Sequence, residues 1–287
     1  MNPLLTASCN VIEAAILGWL GDSARRPLVL GLCGAQGSGK STLSMALCDR
    51  LRANGLGSVS LSLDDLYLAP ESRANLARNT HPLLAIRGVP GTHDVELGER
   101  VLDDLMAGRP SLMPRFDKAD DGALGREYWT PISAPADVVI FEGWCVGVHA
   151  QAATDLLVPI NDLERERDPG KVWREYVNQA VAGPYARLFD RVHRLVLLAA
   201  PGFEVVRRWR TEQEHALIRE LKLMGRTGTQ CLSDTQVAAF IQHFERLTRH
   251  ILSEMPARAD LTLFLDERRN LIRTATAAHR FGLHPGE

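Results

Sequence analysis

The segment from Gly34 to Ser41 (GAQGSGKS) constrains the fold more than any other part of this sequence. An apolar run from Pro27 to Gly34 precedes it, and residues at helical spacing follow it from Ser41 to Ala53. A short apolar run that ends in glycine predicts a buried strand, and glycine permits the tight turn that must follow. The sequence therefore predicts a strand, a glycine-rich turn and a helix in direct succession.

This segment also matches the motif G-x-x-x-x-G-K-[ST], in which backbone N–H groups and the positive end of a helix hold phosphate oxygens. Lys40 would reach the β and γ phosphates of a nucleotide, and the hydroxyl of Ser41 would bind Mg²⁺. We therefore expect ATP and Mg²⁺ as cofactors, since no guanine-reading N/TKxD motif is present. The predicted nucleotide-binding residues of this loop are Gly34, Ala35, Gln36, Gly37, Ser38, Gly39, Lys40, Ser41 and Thr42.

Strand and helix patterns alternate along the rest of the chain, which predicts a parallel sheet covered by helices on both faces. An amphipathic first helix precedes them around residues 11–20. We expect one domain over residues 1–287. Strands are predicted at 27–34, 59–64, 136–142, 194–199 and 261–266, and helices at 94–107, 170–189, 203–223 and 234–254.

The stretch between residues 68 and 135 is rich in Pro, Gly, Asn, Asp and Arg and shows one clear helical pattern. Long irregular segments inside a compact domain are usually functional. This one lies between two predicted strands, and ligands of open α/β folds bind at the carboxyl edge of the sheet. We therefore predict that residues 68–135 form an insert that binds an acceptor molecule.

Composition argues against several classes of partner. The 33 Lys and Arg nearly balance the 35 Asp and Glu, for a formal charge of −2, so no overall basic field favours nucleic acid or an anionic membrane. The five cysteines are scattered without metal-ligand spacing, and the N-terminal residues do not resemble a signal peptide. We expect a cytoplasmic protein without a membrane or nucleic-acid partner, and the sequence does not indicate its oligomeric state.

Carboxylates end two of the predicted strands. Asp64 and Asp65 stand at the end of the second strand, and Glu142 ends the third after a buried apolar run. Phosphoryl transfer needs a group that orients or deprotonates the acceptor and metal ions that take up charge. A strand-end Asp can also be a cap or turn residue, and Glu142 can be a solvated strand end. With the phosphate loop nearby, we favour the catalytic interpretation for Asp64 and Glu142.

Six segments, in chain order, resemble the P-loop small-molecule kinases that include phosphoribulokinase, uridine kinase and bacterial pantothenate kinase. Within that group they are most similar to D-glycerate 3-kinase and its bacterial and fungal kinase-like relatives. The resemblance implies a three-layer P-loop NTPase fold and an enzyme that phosphorylates a hydroxyl of a small acidic metabolite, with D-glycerate the first choice. The segments are 62–67 (SLDDLY), 87–94 (RGVPGTHD), 114–118 (PRFDK), 141–144 (FEGW), 159–163 (PINDL) and 209–214 (WRTEQE).

The resemblance also implies roles for single residues. Asp64 occupies the position of the catalytic base, with Lys40 on the phosphates and Glu142 with Ser41 near Mg²⁺. A lid helix over 203–223 would carry arginines to the phosphates, although a solvated helix face would explain these arginines equally well. The lid residues are Arg207 and Arg210, with Arg208 beside them, and the acceptor residues are Asp65, Tyr67, Arg87, His93, Asp94 and Lys118.

One segment departs from the family pattern. Residues 121–126 (DGALGR) stand where an Arg-Gly-Asp-Arg sequence is expected, and Phe116 replaces a tyrosine. Acceptors other than glycerate therefore stay open: pantothenate, a nucleoside or a sugar phosphate. A nucleotide-dependent ATPase or switch protein without a small-molecule acceptor is a further alternative, which the paired aspartates and the basic insert disfavour.

Overall fold

The computed structural model describes residues 3–22, 26–118, 121–132, 135–223 and 231–277. Its centre is a six-stranded sheet, and two short antiparallel ribbons lie outside it. The helices are α1 Pro3–Asp22, α2 Lys40–Ala53, α3 Pro70–Asn79, α4 Val95–Met106, α5 Asp162–Arg167, α6 Val172–Ala180, α7 Ala186–Phe189, α8 Phe203–Leu223 and α9 Asp234–Glu254. The strands are β1 Leu28–Gly34, β2 Ser58–Ser62, β3 Ser111–Met113, β4 Phe116–Asp117, β5 Gly122–Ala123, β6 Thr130–Ile132, β7 Val138–Gly143, β8 Arg194–Ala199, β9 Leu261–Leu265 and β10 Leu271–Ala275.

The main sheet runs in the order β10-β9-β8-β1-β7-β2, and every neighbouring pair is parallel except β9 and β10. All seven residues of β1 are buried, as expected of a central parallel strand that has helices over both faces. The predicted fold class, a mostly parallel sheet between helical layers, is confirmed. The five predicted strands are present within one or two residues at their ends.

Strand β10 was not predicted. It pairs antiparallel with β9 at the edge of the sheet, and none of its five residues is fully buried. An exposed edge strand lacks the apolar run that marks a buried strand, so its sequence gives a weak signal.

The first helix packs as its pattern predicts, with Ile12 and Ile16 fully buried. Within the described ranges, no helix is long and apolar enough to cross a membrane. The predicted domain limits, residues 1 and 287, lie outside the described residues.

The segment between β2 and β7 contains a helix that the sequence pattern did not reveal. Helix α3 buries only Arg73 fully, and its other residues are mostly polar or small. Because apolar periodicity is the main helix signal, a helix that buries an arginine escapes it. The predicted α4 is present, and β3–β6 and β4–β5 form the two antiparallel ribbons of this segment.

The helix predicted over 170–189 is interrupted. It consists of α6, a π-helical turn Val181–Tyr185 and α7. Pro184 lies inside the π turn, and proline cannot supply the N–H group that an α-helix needs at that point. The interruption therefore follows from the proline in the sequence.

Candidate active site

The loop between β1 and α2 has the geometry of an anion cradle. Gly37 and Gly39 adopt left-handed backbone angles, with φ of 73° and 90°. A Cβ added to Gly37 would lie 2.7 Å from the Cβ of Trp209 in α8, so only glycine fits between the loop and that helix. Ser38 Oγ and Gln36 Oε1 are buried and have no hydrogen-bond partner among the described residues. Free polar groups and a helix N-terminus at one loop suit phosphate oxygens.

Glu142 lies directly beside this loop. In the sheet register it pairs with Leu32 of β1 on one side and with Ser62 of β2 on the other. Ser41 Oγ donates a hydrogen bond of 2.8 Å to Glu142 Oε1. The other carboxylate oxygen, Oε2, is buried, lies 4.0 Å from Lys40 Nζ and accepts no hydrogen bond from the described residues. A hydroxyl and a carboxylate with a free oxygen fit a Mg²⁺ ion, which usually binds one or two carboxylates together with substrate phosphates.

Asp64 lies in a 3₁₀ turn, Leu63–Leu66, that follows β2 directly. Its Oδ1 accepts a 2.7 Å hydrogen bond from the hydroxyl of Tyr67, and its Oδ2 accepts one of 2.5 Å from Lys118 Nζ. Burial acts to raise the pKa of Asp64, but the charges of Lys118 and Lys40 outweigh it and hold this pKa well below its usual range. Asp64 is therefore an ionised carboxylate over the whole neutral range.

The neighbouring Asp65 has partners that give it a structural role. Its Oδ1 accepts a 3.1 Å hydrogen bond from the backbone N–H of Phe116, and its Oδ2 lies 3.4 Å from Arg115 NH1. Burial raises the pKa of Asp65 despite that hydrogen bond and the positive charge of Arg115. Asp65 thus holds strand β4 against the 3₁₀ turn.

His93 and Asp94 lie behind the wall of the site. The ring of His93 stacks on Tyr67 with centroids 4.6 Å apart, and its Nδ1 is hydrogen-bonded to the hydroxyl of Tyr185. Burial lowers the pKa of His93 to about 4, so this side chain is neutral at pH 7. Asp94 caps α4 by accepting a 2.9 Å hydrogen bond from the N–H of Leu97.

Arg87 is held by several contacts at once. Its NH1 pairs with Asp121, and its NH2 donates a 2.9 Å hydrogen bond to the carbonyl oxygen of Lys118. The guanidinium also lies 6.0 Å from the ring centre of Tyr67 and 5.5 Å from that of Phe116. Asp121 belongs to the segment that departs from the family pattern, and the structure shows it as the carboxylate partner of this arginine.

A cavity of about 120 Å³ joins the phosphate loop to the acceptor side. Of the predicted acceptor residues, it contains Tyr67, Arg87 and Lys118, whereas Asp65, His93 and Asp94 do not line it. Glu142 and Asp65 line an adjoining cleft of about 490 Å³ that also contacts Ser41 and Lys118. The residues of the smaller cavity are Gln36, Gly37, Lys40, Ser41, Asp64, Tyr67, Arg87, Lys118, Trp144, Arg210, Gln213, Phe240 and Phe244.

Helix α8 brings one of the three arginines of the predicted lid segment to this cavity. Arg210 lines it and forms a 2.6 Å ion pair with Glu214. Arg207 instead lines a separate cleft between α8 and α9, and Arg208 forms an ion pair with Glu267. The structure therefore does not bring Arg207 to the phosphate loop.

Some residues of the site gave no signal in the sequence. Arg269, in the turn before β10, donates a 2.6 Å hydrogen bond from Nε to the carbonyl oxygen of Gly37 and lies 5.0 Å from the ring centre of Trp209. Phe240 and Phe244 reach the cavity from α9. These residues are separated from the loop by more than 150 positions, so only the fold reveals their proximity. Trp144 could have been predicted as a site residue, because it follows Glu142 by two residues.

Comparisons with known proteins identify kinases among the relatives of this chain. No protein-family model matches the chain. The chain is 33% identical over 250 residues to the uncharacterized kinase mug58 of Schizosaccharomyces pombe, covering 83% of this chain and 87% of that protein. It is 28% identical over 264 residues to the chloroplastic D-glycerate 3-kinase of Arabidopsis thaliana, covering 86% of this chain and 54% of that protein.

A solved structure extends the likeness to the fold. D-glycerate 3-kinase from Cryptococcus neoformans var. grubii superposes with a TM-score of 0.76 at 24% identity, covering 96% of this chain and 100% of that chain. At 24% identity the match shows a shared fold and nothing about the function.

Proposed function

The chain belongs to the family of P-loop kinases that contains D-glycerate 3-kinase and its kinase-like relatives, and we propose that it phosphorylates D-glycerate to 3-phosphoglycerate with MgATP. It is a kinase, a phosphotransferase that uses an alcohol group as acceptor. The identity of the acceptor and the role of each residue are the proposal.

One observation carries the proposal. Lys40 and Ser41 of the phosphate loop line the same small cavity as the carboxylate of Asp64. A γ-phosphoryl group held at the loop would therefore lie beside the group that can accept a proton from an incoming hydroxyl. This is the arrangement that phosphoryl transfer needs, because catalysis of that reaction depends almost entirely on positioning and on neutralising charge.

Each polar group has a task in this scheme. Asp64 accepts the proton of the acceptor hydroxyl, whose oxygen then forms a bond to the γ-phosphorus as the bond to ADP breaks. Lys40 and Arg210 neutralise the negative charge that develops on the transferred phosphoryl oxygens. The hydrogen bond from Tyr67 holds the Asp64 carboxylate in orientation.

Mg²⁺ would be held by Ser41 and Glu142, whose Oε2 has no other hydrogen-bond partner among the described residues. When bound, the ion neutralises charge on the phosphates. Activity should accordingly disappear in excess chelator and return when Mg²⁺ is restored.

The acceptor side favours a small anion. Arg87 and Lys118 line the cavity, and arginine offers bidentate geometry to a carboxylate. Arg115 and Arg126, the other basic residues of the insert, lie outside it. The cavity, of about 120 Å³, adjoins a cleft of about 490 Å³ that shares Ser41 and Lys118 with it. The two cations suit a small hydroxy acid.

A larger acceptor such as pantothenate or a nucleoside is the second candidate. The observation that favours it is the aromatic wall formed by Tyr67, Trp144, Phe240 and Phe244. Aromatic faces bind bases and apolar groups. Three of these rings, however, pack on one another: Phe244 lies 5.0 Å from Trp144 and 5.0 Å from Phe240 between ring centres.

We also propose how the chain is organised in this reaction. Residues 68–135 form the acceptor-binding insert of a single kinase domain, and helix α8 forms the lid. The described cysteines are free thiols, which supports a reducing compartment such as the cytoplasm.

A coupled assay of ADP release tests the proposal. Acceptors offered singly would be D-glycerate, L-glycerate, pantothenate, uridine and ribulose 5-phosphate, each with and without Mg²⁺. The proposal predicts the highest kcat/KM with D-glycerate and 3-phosphoglycerate as the product by phosphorus NMR. A higher kcat/KM with any other acceptor, or ADP release indifferent to every acceptor, would contradict it.

A further inference from the structure

The cations that line the cavity are all engaged with carboxylates of the protein. An anionic substrate must therefore compete with partners that are already in place. Among the described residues these pairs are Lys40 with Glu142, Arg87 with Asp121, Arg210 with Glu214, and Lys118 with Asp64.

The pair of Lys118 with Asp64 differs from the other three in two respects. Lys118 Nζ lies on Oδ2 of Asp64, while Oδ1 accepts the hydrogen bond from Tyr67. These two hydrogen bonds leave other lone pairs on the carboxylate, but the ammonium on Oδ2 neutralises its negative charge and so weakens it as a base. The side chain of Lys118 is also the most exposed of the four cations, at 54%, against 25% for Arg87. A partly exposed lysine on a flexible stem changes partners at little cost.

We propose, on the basis of the proposed function, that Lys118 moves from Asp64 to the carboxylate of the acceptor and so frees the base only when an anionic acceptor is bound. Arg87, fixed by Asp121, provides the stationary half of the carboxylate site. Lys118 provides the movable half. The substrate class is therefore a hydroxy acid whose carboxylate reaches Lys118 while its hydroxyl reaches Asp64.

This exchange would protect ATP from water. In the resting state the ammonium of Lys118 neutralises the Asp64 carboxylate, so a water molecule in the acceptor position meets only a weak base. With the carboxylate bound, Oδ2 accepts the acceptor's proton, the acceptor oxygen bonds to the γ-phosphorus, and the electron pair of the broken P–O bond leaves with ADP. A neutral polyol such as glycerol would not draw Lys118 away.

Substitution of Lys118 separates this role from simple charge attraction. In Lys118→Met the Asp64 carboxylate has no ammonium to neutralise it, so ATP hydrolysis without acceptor should rise about tenfold, a part of the 10² to 10⁴ typical of general-base assistance. The preference for D-glycerate over glycerol in kcat/KM should fall at the same time. Lys118→Arg, which keeps the cation, should leave hydrolysis low.

Two further variants complete the experiment. Lys118→Met combined with Asp64→Asn should lose the added hydrolysis, because the water would again lack a base. Lys171→Met removes a lysine that pairs with Glu175 at 2.5 Å outside the cavity and should change neither quantity. All variants are compared after thermal melting confirms that they are folded.

The outcomes are distinct from those of the acceptor screen. Unchanged or lower hydrolysis in folded Lys118→Met, or an unchanged ratio of glycerate to glycerol, would overturn the inference even if D-glycerate proves to be the substrate. A rise in hydrolysis that persists in the double variant would also overturn it. If the wild type phosphorylates no hydroxy acid, the proposed function fails, and the hydrolysis assay still decides whether Lys118 restrains Asp64.

Discussion

The two halves of the candidate site are built in different ways. The nucleotide half is one continuous segment, Gly34 to Thr42, whose shape comes from left-handed glycines and a helix N-terminus. The acceptor half is assembled from separate segments that contribute Asp64, Arg87 and Lys118. The first half depends on local backbone geometry, and the second on ion pairs between distant segments.

This difference has a functional consequence. The phosphate loop can be rigid, because it binds the same nucleotide whichever acceptor is used. An acceptor site that must distinguish a hydroxy acid from water benefits from ion pairs that exchange when the right anion arrives. Substitutions in the nucleotide half should therefore lower turnover with every acceptor, whereas substitutions in the acceptor half should change which acceptor is used.

The largest effect is expected in the nucleotide half. Lys40→Ala should leave a folded protein whose kcat falls by about 10³, because a charge aimed at the transferred phosphoryl group is lost. Steady-state kinetics and a melting curve measure both properties. Lys171→Ala is the matched control and should behave as the wild type. Near wild-type turnover in Lys40→Ala would contradict the assignment of this loop as the nucleotide site.

A smaller and selective effect is expected for Arg87→Lys, which keeps the charge and loses the planar fork. The KM for D-glycerate should rise by roughly 10- to 100-fold, the value of one or two charged hydrogen bonds, while the KM for ATP stays the same. Arg115 pairs with Asp65 outside the cavity, so the control variant Arg115→Lys should change the KM for D-glycerate less. An equal rise of the KM values for D-glycerate and ATP would mean that Arg87 does not act on the acceptor alone.

The buried wall behind Tyr67 gives a pH-dependent prediction for stability. Burial lowers the pKa of His93 from 6.5 to about 4, so between pH 7 and pH 5 the unfolded chain takes up a proton that the folded chain does not. The free energy of unfolding should fall by about 2 kcal/mol over this interval through His93 alone. In His93→Gln this part of the pH dependence should be absent in urea titrations at the two pH values. An identical pH dependence in both proteins would show that His93 takes up its proton in the folded state.

The smallest effect concerns the lid. Amides of α8 should gain protection from hydrogen exchange only when nucleotide and acceptor are both bound, because closure excludes water once both are in place. Amides of α2 should gain protection with nucleotide alone, since that helix begins at the phosphate loop. If α8 showed no additional protection with both ligands, the lid assignment would be wrong.

The sequence predicts the nucleotide half almost completely, because the loop motif is local and Glu142 ends a buried apolar strand beside it. It predicts the acceptor half only in part. Asp64 was singled out by its place at the end of a predicted strand, and Arg87 and Lys118 through a family resemblance. Asp94 was assigned to the acceptor through the same resemblance, although an Asp directly before a helical pattern also predicts the helix cap that the structure shows.

The undetected features share a physical cause. Helix α3 buries an arginine, strand β10 is an exposed edge, and Arg269 reaches Gly37 across 232 positions. None of these produces apolar periodicity or a compact motif. Ion pairs such as Arg87 with Asp121 belong to the same class, since charge complementarity between distant segments becomes visible only when the chain is folded.

The kcat of Asp64→Asn compared with that of Asp65→Asn tests the central claim most directly. Asparagine keeps the size and much of the hydrogen bonding of aspartate but cannot accept the proton. With saturating D-glycerate and MgATP, kcat of Asp64→Asn should fall by about 10² to 10⁴ with little change in nucleotide affinity. Asp65→Asn should lose less, because Asp65 holds strand β4 outside the cavity. Retention of more than about a tenth of the wild-type kcat by Asp64→Asn, or a larger loss in Asp65→Asn, would contradict the assignment of Asp64 as the base.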